Sequence, residues 1–211
     1  GPLSGTTKID TARRSTSPYQ PSFEENVPTG TATVLPVGTA AIGTAGATSS
    51  TLYSTTNLTL SGAPILTING PVVINITGDL SITSTAKIVI AATGSLEIHL
   101  AGDLILDGNG IQNLTKLPRK CLILAKADNY YDTLEMGTNT AFYGVIYTPN
   151  NALTISNAQT IYGAIVAKSV TFTLSPVFHY DLDLRDATRG VFPGLVTPFA
   201  VSDWRESTHG I

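Results

Sequence analysis

The chain has 211 residues, a net charge of −3 and 13% charged residues, against a usual share of about 25%. Its length suits one all-β domain, and its basic pairs, Arg13-Arg14 and Arg119-Lys120, give little grip on nucleic acid or an anionic membrane. The single cysteine, Cys121, excludes an internal disulfide and a multi-cysteine metal site, and no apolar run reaches the roughly 18 residues of a membrane span.

Gly1-Pro2-Leu3-Ser4 reads as a protease-cleavage scar, and no signal peptide is visible. Residues 1–50 are rich in Thr, Ser, Gly, Ala and Pro with few large apolar side chains. Such a stretch buries too little to offset backbone ordering at about 1–2 kcal/mol per residue, so an extended or disordered segment is expected. Within it, Val34-Leu35-Pro36-Val37 is placed to add a strand that caps the first coil of the repeat region.

From Leu58 a phrase repeats. Moving 22 positions along takes Leu58 to Leu80, Leu60 to Ile82, Leu66 to Ile88, Ile68 to Ile90, Ile74 to Leu96 and Ile76 to Ile98. Three short alternating strands per repeat predict a right-handed parallel β-solenoid of about five or six coils over residues 51–185. The aliphatics at i and i+2 point inward, and Thr59, Thr67, Asn75, Thr77, Ser81 and Glu97 point outward. Corners fall at Ser61-Gly62, Asn69-Gly70-Pro71, Gly78-Asp79, Thr93-Gly94, Gly102-Asp103 and Asp107-Gly108-Asn109-Gly110, with glycine expected at positive φ. The Gly-Asp pairs lack the spacing of calcium β-rolls, so their aspartates are expected to bond local backbone N–H groups rather than a metal.

Residues 112–141 interrupt the rhythm and are expected to form a loop insertion around one strand, Leu122-Ile123-Leu124, in which Cys121 is a core thiol. The run Asp128, Asn129, Tyr130, Tyr131 and Asp132 is the candidate binding site, because loops on rigid scaffolds carry recognition. A shorter period of 19 then relates Phe142-Tyr143-Gly144-Val145-Ile146 to Ile161-Tyr162-Gly163-Ala164-Ile165, and Leu153-Thr154-Ile155-Ser156 to Phe172-Thr173-Leu174-Ser175. The last coil ends at Phe178-His179-Tyr180-Asp181. Residues 186–211 read as a C-terminal cap, with Phe192, Phe199 and Trp204 as plugs.

Phe142 to Asn150, Ile161 to Val170, Phe178-His179-Tyr180-Asp181, the Gly-Asp-Leu phrases and Ser202-Asp203-Trp204-Arg205-Glu206 together resemble the β-helical C-terminal domain of bacterial surface proteins that begin with a type IV pilin-like membrane helix. The resemblance implies a minor pilin or pilus-associated component at the cell surface, held by a helix that this sequence does not contain. Its implied partners are other pilus or surface proteins, a host surface or a glycan, and it carries over no catalytic residue, cofactor or metal.

The residues themselves point to a non-enzymatic structural or adhesive module, with a polysaccharide-binding or polysaccharide-cleaving β-helix as the alternative. The alternative rests on Asp181, Asp183 and Asp186 with Arg185 and His179, where strand alternation places Asp181 and Asp183 on one face. His99 is expected to be a surface residue on an elongated strand. The sequons at Asn57, Asn75 and Asn113 permit glycosylation in a suitable host. The threonines follow from β-propensity, since a Thr-x-Thr pattern suited to ice occurs in register only at Thr171-Phe172-Thr173.

Overall fold

A computed structural model describes residues 30–36, 38–125, 134–138 and 140–185. The candidate site Asp128, Asn129, Tyr130, Tyr131 and Asp132, and the expected cap 186–211, lie outside the described residues. Those described form a parallel β-solenoid of about six coils.

Three faces organise the column. The first stacks β1 (Thr33–Val34), β3 (Thr51–Thr55), β6 (Pro71–Ile76), β9 (Ser95–Leu100), β12 (Cys121–Ala125), the first half of β14 (Phe142–Ile155), the first half of β15 (Thr160–Phe172) and β16 (Val177–Tyr180). The second stacks β4 (Leu58–Leu60), β7 (Leu80–Ile82), β10 (Leu104–Gly108), β13 (Leu134–Thr138) and the second halves of β14 and β15. The third contains β2 (Ala41–Ile42), β5 (Ile65–Ile68), β8 (Lys87–Ile90) and β11 (Ile111–Asn113). Every pairing is parallel, as expected when each strand meets its counterpart one coil away.

Leu58 pairs with Leu80 and Leu80 with Leu104, as the repeat predicts. On the first face the register departs from the 22-residue reading. Ile74 pairs with Ile98 and Ile76 with Leu100, two residues further along, because the corner before β9, residues 91–94, is two residues longer than the corner before β6, Asn69-Gly70. A two-residue slip keeps every side chain on its own face, so the core stays intact. A second slip lies in the last coils, where Leu153 pairs with Val170 and Ile155 with Phe172 rather than with Phe172 and Leu174. A bulge between Thr148 and Ala152 accounts for it by adding residues to β14 that β15 lacks.

The column also starts earlier than residue 51. β1 pairs with β3, β2 pairs with β5, and Leu35 and Ile42 are buried in the core, so part of the segment expected to be extended forms a first coil. Part of 112–141 likewise belongs to the stack, through β11, β12 and β13.

Each corner is stitched to the corner one coil below. Asn57 Oδ1 accepts from the Asp79 N–H at 2.8 Å, and Asp79 Oδ1 accepts from the Asp103 N–H at 3.0 Å. The corner side chains therefore bond backbone across coils, in place of the local N–H groups expected from the sequence. Glycine at 78 and 102 is explained by close approach and not by positive φ: a Cβ at Gly78 would strike Asn57 Oδ1, and one at Gly102 would strike Asp79 Oδ1.

Above β11 the third face ends. Asn113 is buried and makes the transition: its Nδ2 donates to the Leu117 and Tyr143 carbonyls at 2.9 and 3.1 Å. Its Oδ1 accepts from the Thr115 N–H and hydroxyl at 3.1 and 2.6 Å. All four of its hydrogen-bonding valences are filled, which removes this side chain from glycosylation. The following 3-10 turn, Pro118–Lys120, leads the chain into β12.

Candidate functional site

Because the interior is aliphatic, recognition chemistry is confined to outward positions. The most ordered outward feature lies on the first face of the last coils. Register places Tyr143 beside Tyr162 and Tyr162 beside His179, and the rings stack at centroid separations of 4.5 and 4.7 Å, 3° and 10° from parallel. Such offset aromatic ladders contribute about 0.5–1.5 kcal/mol per pair. Burial, then the neighbouring Tyr162 phenol and the hydrogen bond it makes, raise the Tyr143 pKa above its ordinary value. The repeat at 19 residues already pairs Tyr143 with Tyr162, whereas His179 follows Tyr162 after only 17 and falls outside that period.

The acidic cluster expected near the end of the column is dispersed in its roles. Asp181 Oδ1 accepts from the Asp183 N–H at 3.0 Å and so starts the 3-10 turn Leu182–Arg185. Asp183 Oδ2 meets Arg119 Nη1 at 3.4 Å on the surface. The strand ends at Tyr180, so the two aspartates do not share a strand face as alternation suggested. Asp186 and the Arg185 side chain lie outside the described residues.

His99 points away from the core as expected, yet it is only 2% exposed, and its Nε2 lies 2.7 Å from Glu97 Oε1. The expected surface position is therefore corrected to a buried one. Its neighbours on the outer side of the same face, Val73, Leu122, Val145 and Tyr147, are buried as well. Strand alternation gives direction but says nothing of coverage; the available signal is the unbroken apolar runs Val72-Val73-Ile74, Leu122-Ile123-Leu124 and Val145-Ile146-Tyr147, which mark strands buried on both faces.

Cys121 sits in the core, where burial pushes its thiol up to about 12. That thiol is inert at neutral pH, because the thiolate is the reactive form. Among the described residues no group of three or more His, Cys, Asp and Glu is arranged to hold a metal. A groove of about 290 Å³ lies against the open edge of β4, lined by Leu35, Pro36, Leu58, Leu60, Pro64 and Ile65 with threonine hydroxyls. No charged side chain lines it. Among the described residues no helix is long and apolar enough to cross a membrane.

A dry column with polar corners and an outward aromatic ladder defines the class: an all-β parallel β-solenoid domain. The chain belongs to the family of the domain of unknown function DUF7305, whose model matches residues 11–187. No curated protein and no solved structure matches it.

Proposed function

We propose that this domain is a non-enzymatic structural or adhesive module of a bacterial surface or pilus-associated protein, a stiff column that presents a lateral face to a partner. The observation that carries the reading is the continuous register of the first face, from Tyr53 through Ile74, Ile98, Ile123 and Ile146 to Ile165. Parallel strands in unbroken register, with inward aliphatics on each rung, make a load-tolerant rod in which every coil is braced by the next. The low charge of the chain and its hydroxyl- and amide-rich outer positions fit an exported surface. Within this reading Tyr143, Tyr162 and His179 form the contact ladder.

The second reading, a polysaccharide-cleaving β-helix, is favoured only by the proximity of His179, Asp181 and Asp183 along the chain. Two measurements separate the readings. Antibody against the domain is expected to label intact cells of the encoding organism, and labelling only after permeabilisation would overturn the surface assignment. Incubation with a panel of acidic and neutral glycans is expected to release neither reducing ends nor unsaturated products. Turnover abolished by Asp181→Ala or Asp183→Ala would replace the scaffold with the enzyme.

A further inference from the structure

The two ends of the column are finished differently. At the start, Leu35 and Ile42 of the first coil are buried. At the far end inward positions lie open. Register stacks Val170 on Leu153 and Phe172 on Ile155, both fully buried, yet Phe172 itself is 49% exposed, and Val170 and Leu174 share that apolar surface. The backbone beside them is open as well: among the described residues, no strand lies beyond the stretch of β15 from Ala164 to Phe172. The Thr173 N–H donates to the Ile155 carbonyl one coil below. Because successive residues turn their N–H and C=O groups to opposite sides of a strand, those of Val170, Phe172 and Leu174 face the open edge. Exposed inward side chains and open edge backbone thus belong to the same residues.

We propose that this edge docks antiparallel against the same edge of a second copy of the chain, across a two-fold axis through Phe172. The edge reads nearly the same in both directions: Ser169-Val170-Thr171-Phe172-Thr173-Leu174-Ser175. A two-fold axis at its centre therefore sets Ser169 against Ser175, Val170 against Leu174 and Thr171 against Thr173 of the second copy, with Phe172 against its own counterpart. Residues opposite one another in antiparallel strands share a face, so the aliphatic and Phe172 pairs continue the dry interior across the junction while the threonines pair outside. Val170, Phe172 and Leu174 fall at the hydrogen-bonded sites of this register, where each exchanges N–H and C=O bonds with its partner. The pairing carries β15 on through Thr173-Leu174, which bend in the single chain. Charges and proline are the usual devices that blunt an edge, and the run from Ser169 to Ser175 has neither; Lys168 and Pro176 stand just outside it. A symmetric contact of this kind closes at two copies. Stacking this end on the start of another column fits less well, because the first coils described are three-sided and the last are two-sided.

Sedimentation equilibrium of the 211-residue chain provides the test. A junction of one strand from each copy buries less than about 1,200 Å², the lower bound for a stable complex, so a dissociation constant on the order of 10 µM is expected, with dimer predominating at about 100 µM and monomer at about 1 µM. Phe172→Lys sets two like charges face to face on the axis and is expected to raise that constant at least about tenfold, with the circular dichroism of the monomer unchanged. Cysteine pairing reads the register. Phe172→Cys is expected to link two chains under mild oxidation, because hydrogen-bonded pairs hold their Cα atoms about 5.5 Å apart, within reach of a disulfide. Ser169→Cys, set opposite Ser175, is expected not to link, and the buried Cys121 stays out of the reaction. A monomer at every concentration would overturn the proposal and leave the end to solvent or to the chain itself. Growth past the dimer would overturn it in favour of end-to-start stacking, and equal linking at positions 169 and 172 would overturn the register. The sedimentation measurement needs no substitution and stands if a variant fails to fold.

Discussion

Among the described residues the coils from β3 to β11 have three sides, and those from Phe142 to Tyr180 have two. From Ile74 to Ile98 a coil takes 24 residues, from Ile146 to Ile165 it takes 19, and from Ile161 to Phe178 it takes 17. The shorter coils leave no length for a strand on the third face, so β14 and β15 run straight through the corner that separates the first two faces below. The cost appears in the core. In the wide half Ile68, Ile74, Ile76, Leu80, Ile88 and Ile98 are fully buried between neighbours above and below. In the narrow half Phe142, Ile146, Leu153, Ile155 and Ile161 are buried as well, but glycine occupies an inward position at Gly144, where a Cβ would strike the Phe142 ring. Its bulge also leaves Thr148 Oγ1 and Asn151 Nδ2 buried without hydrogen-bond partners, at about 1–3 kcal/mol each. These features predict that stability is concentrated in the wide half, whereas the outward aromatic ladder lies on the narrow one.

The strongest way to break this contrast is to hollow each half in turn. Ile98→Ala is expected to cost about 2–5 kcal/mol in urea unfolding, as buried aliphatic truncations do. Ile165→Ala, on the same face and three pairings further along, is expected to cost less than half of that because its side chain is only partly buried. Next in size is Asn113→Ala at the joint between the halves. It strands the Leu117 and Tyr143 carbonyls and is expected to cost about 1–3 kcal/mol, whereas truncating the exposed Thr59 would be nearly neutral. Tyr162→Ala removes the middle ring of the ladder and is expected to cost about 0.5–1.5 kcal/mol of stacking per lost pair. In pull-downs with a surface partner it is expected to weaken binding more than Thr59→Ala on the wide half.

The smallest effect is a pH dependence. The Cys121 thiol titrates near 9.0 when exposed and at about 12 in the fold. Between those values the unfolded chain holds fewer protons than the native one, so stability falls as pH rises above about 9. Cys121→Ala is expected to flatten that fall between pH 9 and 10 and to leave the slope below pH 8 unchanged. Parallel slopes for the two proteins above pH 9 would show that the thiol is not desolvated.

Much of the column is legible because its inward code is simple: aliphatics at i and i+2, separated by Gly-Asp corners, place Leu58, Leu80 and Leu104 in one ladder before any coordinate is known. The two register slips escape because a single period does not hold where one corner is two residues longer than its counterpart, as before β9, or where a strand gains residues at a bulge, as in β14. The first coil is half anticipated by the strand expected at Val34-Leu35-Pro36-Val37, since β1 pairs with β3 and Leu35 is in the core, whereas β2 escapes because two residues are too few for alternation to register. Asn113 reads as a sequon because its partners, Leu117 and Tyr143, meet it only after folding. The run from Asp128 to Asp132, expected from sequence to bind, lies outside the described residues, and the outward aromatic ladder is half visible in the match of Tyr143 with Tyr162.

Native-state hydrogen exchange under increasing urea tests the two-part column most directly, since it resolves opening strand by strand. The amides of β15 and β16 are expected to open as one unit at low free energy, and those of β6, β9 and β12 only with global unfolding. A single opening free energy shared by all of these strands would contradict the division of the column at Asn113.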